Sequence, residues 1–254
     1  MFIEYILLPI VGIILSCLLS GITGASAGIF ITPITYFIIT PEVTSNLFTR
    51  AISTSLSAIF IVNLINIVKF QPEILKTMFQ LKNTTTFAIS NMVFWLVTTP
   101  GDHYVKMAST FSLAVIILIS INQIIIIKKL YSNYSTYLAA LLTPFLGIGG
   151  TKIISTYCNN IKLNATESNN MIVSYIFATT SPALLSMLYS SIKTTNSYFI
   201  KSIFWPNVVI AVLIGPYLCE IGKKIGNHIT PKVITLVLIA YMVLIEILLI
   251  SSFV

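Results

Sequence analysis

Charge is scarce in this chain: Asp, Glu, Lys and Arg make up 8% of its 254 residues, whereas 56% are apolar. That balance excludes an ordinary soluble domain, in which about a quarter of the residues are charged. Seven carboxylates are scattered along the sequence, so no acid pair suggests proton transfer. No H-E-x-x-H, G-x-S-x-G or Asp-rich motif is present, and His103 and His228 stand alone, read as loop residues. With no nucleophile beside a base, an enzyme is not expected. Polar connections are short too. The longest, residues 71–82 and 192–201, leave no room for a Walker loop, a nucleotide-binding unit or a soluble receptor domain. The three cysteines, Cys17, Cys158 and Cys219, are far apart and lack C-x-x-C spacing, so neither a disulfide nor a metal site is expected. No cofactor is implied.

What the chain has instead is long apolar runs. Free of charge are residues 5–41, 51–68, 83–101, 107–127, 130–151, 168–192 and 202–219, and residues 233–254 carry only Glu246. A helix needs about 20 mainly apolar residues to cross a bilayer, and these runs do not alternate as barrel strands would. The expectation is an all-α, polytopic membrane protein of about eight transmembrane helices, forming one domain over residues 1–254 in a cell membrane of the bacterial inner-membrane type. The first run is too long for one straight crossing, so a break is expected near residues 21–28, with residues 29–39 as a second helical piece. The run ends in Ala25-Ser26-Ala27, like a signal-peptide cleavage site, but no Lys or Arg precedes it, which argues against a leader. Net charge is +7, yet the lysines flank apolar runs, at Lys69, Lys76, Lys82, Lys128, Lys129, Lys223, Lys224 and Lys232. That pattern suits lipid headgroups rather than nucleic acid.

Halves of about 1–130 and 131–254 repeat one another. Gly24 falls on Gly147 at an offset of 123 residues, while Thr54-Ser55 falls on Thr180-Ser181, and Lys106 on Lys232, at an offset of 126. A three-residue insertion reconciles the two. Each half then holds four segments: a broken first helix, a helix with a central Thr-Ser pair, a third helix and a very apolar last one. Four crossings per half would make the halves parallel, whereas re-entrant first segments would invert them; four plus four is preferred.

The candidate site residues follow from the repeat. Gly24, Ser26 and Gly28 with Pro33, and Gly147, Gly149, Gly150 and Thr151, mark the two breaks. A restarting helix presents N–H groups and a positive dipole end to an anion, and the Ser26 and Thr151 hydroxyls would add donors. Small residues that merely let helices approach would read the same way; the matched second copy favours a substrate path. Lys152 and Arg50 would supply positive charge, with snorkelling to the interface as the alternative for each. Thr54, Ser55, Thr180 and Ser181 are candidate cavity lining, Glu246 is a candidate for proton coupling, and Asn63, Asn66, Asn122 and Gln123 are read as interhelical hydrogen bonds.

These motifs resemble the sulfite exporter TauE/SafE family, also called the 4-toluene sulfonate uptake permease family. The likeness lies in Gly24-Ala25-Ser26-Ala27-Gly28 to Pro33, Ala51 to Thr54-Ser55, Gly147-Ile-Gly149-Gly150, and Leu213-Ile-Gly215 to Gly222-Lys-Lys-Ile-Gly226 to Pro231. It covers nearly the whole chain. The resemblance implies a transporter of a sulfur-containing anion such as sulfite or a sulfonate. Ser26 and Ala27 stand where the family pattern has glycines, Thr156 where it has a second proline, and Lys152 adds a charge, so substrate identity is less fixed than transport. Implied partners are lipid and a small anion, and a homo-oligomer is compatible with the sequence. The alternatives are an assembly or anchoring protein whose glycines only pack helices, or a carrier of another solute. A cation or amino-acid carrier is disfavoured because Glu246 is the only candidate carboxylate at depth.

Overall fold

The computed structural model describes residues 2–25, 27–38, 47–70, 102–125, 165–193 and 203–252, together with Ile89, Leu141, Leu142, Ile154 and Cys158. Among the described residues there are seven helices and no strand: α1 Phe2–Thr23, α2 Gly28–Ile38, α3 Leu47–Phe70, α4 Asp102–Ile125, α5 Ala165–Lys193, α6 Trp205–Gly226 and α7 Pro231–Ser251. Two of these are long and apolar enough to cross a membrane, through Phe48–Ile65 in α3 and Lys232–Ser251 in α7. Inside the bundle 61% of the first window is buried, but only 22% of the second. The α7 helix therefore turns Leu236, Val237, Leu244 and Ile247 outward, and α6 does the same with Val209, Leu213, Tyr217 and Ile221. Faces this apolar are costly in water. Of the eight expected runs, 83–101 and 130–151 lie outside the described residues apart from Ile89, Leu141 and Leu142.

The tightest contact joins α1 to α6. A side chain on Gly21 would overlap the Cys219 carbonyl, and one on Gly222 would overlap the Leu18 carbonyl. At Gly226 a Cβ would lie 2.6 Å from the Ile22 carbonyl oxygen, and at Gly215 it would lie 3.2 Å from Cys17 Sγ. Contacts climb both helices together, Cys17 with Gly215, Gly21 with Cys219, Ile22 with Gly226, so α1 and α6 run parallel. Small residues spaced four apart let the backbones meet at a distance that side chains would forbid.

The break appears at residues 24–27, and it reverses the chain rather than kinking it. Gly24 has φ +63°, a left-handed conformation that ends a helix and that other residues adopt at a cost. Ser20 Oγ donates to the Ala25 carbonyl at 2.7 Å, and the Ala25 N–H donates to Thr23 Oγ1 at 3.2 Å. Helix α2 restarts on the Ala27 carbonyl, which accepts from the Ile31 N–H at 2.8 Å. It then returns beside α1 and antiparallel to α6: Ala27 and Ile31 share a cavity wall with Gly215 and Cys219, and Asn207 Nδ2, near the start of α6, donates to Thr35 Oγ1 at 3.3 Å. Pro33 cannot donate to the Ile29 carbonyl. Tyr241 Oη reaches that oxygen from α7 in a long hydrogen bond of 3.5 Å, and its ring packs on Phe30 at 4.9 Å between centroids.

Helices α4 and α7, which the sequence reading pairs as last segments, lie antiparallel: Lys106 Nζ, near the start of α4, donates to the Ser252 carbonyl just past the end of α7 at 2.6 Å. Further along, Leu113 shares a small cavity with Tyr241, Ile245 and Leu249. Lys106 is buried and also lies 5.7 Å from the Tyr36 ring centre, completing the carbonyl end of α7 where a cation is favoured. Folding α2 back reverses the chain, and α1, α3, α4 and α6 then share one direction while α2 and α7 take the other. Two apolar cores result, one of Ile13, Cys17, Ile31, Val208 and Ala211, the other of Phe30, Ile52, Leu56, Leu238 and Met242, and α2 contributes to both. The Phe204 N–H at the head of α6 donates to Thr54 Oγ1 at 3.0 Å, tying α6 to α3.

Two stability differences should follow, each measured by thermal or denaturant unfolding in detergent. Gly222→Leu should cost about 3 kcal/mol or more through overlap at the seam, whereas Gly24→Ala, whose Cβ meets open space, should cost only the left-handed strain of roughly 1 kcal/mol. Thr54→Val strands the part-buried Phe204 N–H and should cost about 1–3 kcal/mol, with a smaller loss for Thr180→Val, whose hydroxyl bonds back to Ile176 of its own helix.

Candidate functional site

Beside the first break the structure holds two connected hollows. The outer one, a vestibule of about 720 Å³, is lined by Ser20, Gly21, Gly24, Ala25, Cys219, Glu220, Lys223, Lys224 and Asn227. The inner one, a chamber of about 360 Å³, is bounded by Ala25 and Ala27 of the break, by Ala58 and Asn63 of α3, and by Ala211, Gly215 and Pro216 of α6. Ser20, Ala25 and Cys219 belong to both walls, and these three form the neck between them. The path thus leads from the last turn of α6 down to its middle.

Each polar group here has a local cause. Lys223 and Lys224 occupy the last turn of α6, where the negative end of the helix dipole favours them. They outnumber Glu220 and make the mouth electropositive. Ser20 is free to face the neck because the chain leaves the helical path four residues later at Gly24. Asn63 is buried and turns Nδ2 back to the Ile59 carbonyl at 2.8 Å; it lines the chamber and does not make the interhelical bond expected of it. Pro216 has no N–H, which leaves the Val212 carbonyl without its intrahelical donor. Helix α2 starts at Gly28, just after Ala27 on the chamber wall, and only its leading N–H groups at Gly28 and Ile29 precede the Phe30 and Ile31 bonds to the Ala27 carbonyl. Together these groups would hydrogen-bond a small anion and the water around it.

Several expected site residues fall elsewhere. Gly24 lines the vestibule, and Gly28 is buried in the first turn of α2 beside it. Pro33 instead borders the small cavity of about 20 Å³ between α2 and α7, with Thr32 Oγ1. The hydroxyl pairs line neither hollow. Thr54 donates to the Arg50 carbonyl at 2.8 Å, Thr180 to Ile176 at 2.8 Å and Ser181 to Phe177 at 2.7 Å, and with Ser55 all four are buried. Hydroxyls in apolar helices readily satisfy themselves this way, which corrects their reading as cavity wall. Helices α3 and α5 meet nearby through stacked Phe60 and Phe177 rings, 5.3 Å apart. Arg50 is half-buried near the start of α3 and lines neither hollow. Glu246 lies on α7, away from both, with Oε2 buried and lacking a hydrogen-bond partner among the described residues. Ser26, Asn66, Asn122, Gln123, Gly147, Gly149, Gly150, Thr151 and Lys152 lie outside the residues or side chains described. His103 belongs to the first turn of α4 and not to a loop.

Sequence reasoning missed Ser20, Lys223, Lys224, Asn227 and the cysteine pair. The signal that could have found the lysines is their place four and five residues after Cys219 in a glycine-spaced helix, on the turn that a partner glycine helix would meet. No family model, curated protein or solved structure matches the chain.

Proposed function

We propose that the chain is a multi-pass membrane protein built of two inverted repeats, and that it carries a small anion by alternating access. The observation that carries this reading is the path from Lys223 and Lys224 through the Ser20–Ala25–Cys219 neck to a chamber at the middle of α6. A hollow that reaches the middle of α6 from the vestibule at its last turn is, in this reading, half of an alternating-access route. Antiparallel packing of the corresponding helices α4 and α7 supports it, since inverted repeats can exchange inward-open and outward-open shapes by swapping conformations. Outward apolar faces on α6 and α7 support the lipid setting.

Positive charge at the mouth, the second Asn63 amide N–H inside and the α2 N-terminus at the wall favour an anion over a cation. Among the described residues no carboxylate lines the inner chamber. The resemblance to the TauE/SafE family adds sulfur to the substrate: sulfite, thiosulfate or a sulfonate, small oxyanions of a size the chamber accommodates. In that reading the second break, with Lys152 and Thr151, serves the opposite opening.

Reconstitution into vesicles tests this. Uptake of sulfite, thiosulfate or a sulfonate is expected, competed poorly by chloride. Lys223→Gln with Lys224→Gln should lower entry at limiting substrate by roughly tenfold at low salt through lost electrostatic focusing, with the difference shrinking as ionic strength rises. Gly28→Leu should abolish flux while the protein stays in the membrane. A full set of anions without flux would reject transport; flux of cations alone would reject the anion assignment.

A further inference from the structure

We infer that Cys17 and Cys219 form a redox-active dithiol at the neck, able to close into an intramolecular disulfide by exchange with a low-molecular-weight disulfide. The two residues are separated by most of the chain, yet the α1–α6 seam sets them face to face. Cys219 Sγ donates to the Cys17 carbonyl at 3.2 Å, and the two thiols are within hydrogen-bonding reach of one another. Disulfides need Cα atoms about 4.4–6.8 Å apart, closer than the 8–10 Å at which ordinary helix axes pack. The missing side chains at Gly21 and Gly222 remove that obstacle, letting the Cys219 backbone sit directly on α1.

The pair is unequal in access, which gives the reaction an order. Cys17 is 3% exposed, has Gly215 against its sulfur and borders the chamber but not the vestibule. Cys219 is half-buried and borders both the vestibule and the chamber, with Ser20 Oγ beside its sulfur. The Cys219 thiolate therefore meets the incoming disulfide RSSR first, forming a protein–SR bond and releasing RS⁻. Cys17, acting as the resolving thiol, then attacks Cys219 Sγ, forming the S–S bond and releasing the second RS⁻. The two thiol protons accompany the leaving groups, so one RSSR is reduced to two RSH for each protein disulfide formed. Closure staples α1 to α6 across the neck. Cys158 takes no part: it is fully buried, 3.6 Å from Met171 Sδ. This chemistry rests on the seam alone and does not require that any solute be carried.

The test uses the purified, reduced full chain in detergent, treated with oxidised glutathione and followed by intact mass and peptide mapping. The wild-type chain should lose two hydrogen atoms, retain no glutathione and yield one linked peptide pair containing Cys17 and Cys219, all reversed by dithiothreitol. Cys17→Ser should trap glutathione on Cys219, because the resolving thiol is gone. Cys219→Ser should show neither adduct nor link. A wild-type chain that keeps a stable adduct, links Cys158 or does not change would overturn the proposal, as would an adduct on Cys17 in the Cys219→Ser chain. The wild-type mapping decides the matter even if a serine variant fails to fold, and Cys17→Ala offers a second trapping variant.

Discussion

The rest of the structure hangs on the backbone contact between α1 and α6. Van der Waals contact and local polar bonds between helices fall off steeply once side chains hold the backbones apart. Gly21, Gly222 and Gly226 remove the side chains where the helices cross. A parallel pair of helices from opposite ends of the sequence is thereby locked together, and everything later in the chain must be arranged around it. The same contact sets the width of the neck, because Ser20 and Cys219 are the neighbours of the glycines that make it.

From that pair the remaining topology follows by geometry. Since α1 and α6 run the same way, and α2 folds back over the chamber, α2 joins α3 in contributing to both apolar cores. Its proline is tolerated because Tyr241 of α7 supplies a donor to the carbonyl left open, as broken helices require of their neighbours in a membrane. The bond also fixes α7 in register against α2. Lys106 then closes the far end of α7, so a single buried cation sets the antiparallel match of the two last segments.

Much of this was legible in the residues, and what was not has a physical reason. Apolar run length gave the all-helical class, and the cluster of small residues at 24–28 located the break to within a residue or two. Whether the break kinks or reverses a helix depends on one dihedral, Gly24 at φ +63°, and a run of small residues is compatible with both. The direction of α2 against α1 hung on that dihedral. The Thr-Ser pairs misled because a hydroxyl that bonds its own helix and one that faces a cavity have the same sequence. Lys223 and Lys224 misled in the opposite direction: a lysine after an apolar run is placed alike by a lipid headgroup and by an open vestibule. Cys17 and Cys219 could not be paired on spacing, since contacts across 202 residues are set by the seam and not by local sequence.

The chamber itself weighs between carriage and mere packing. An apolar hollow costs about 24 cal/mol per Å³ when left dry, so 360 Å³ would cost about 9 kcal/mol, comparable with the whole stability of a typical domain. A helix bundle selected only to pack would fill that space with side chains. The walls here instead carry Asn63, Ser20 and the proline-freed carbonyl region of α6, which can hold water, roughly a dozen molecules at ~30 Å³ each. A hydrated pocket connected to the outside is cheap to keep and costly to explain as packing. Small residues line it at Ala25, Ala27, Ala58, Ala211 and Gly215, so the same economy of side chains that closes the seam on one side of α6 opens the chamber beside it. Closure of one surface and vacancy of the next thus share a single cause.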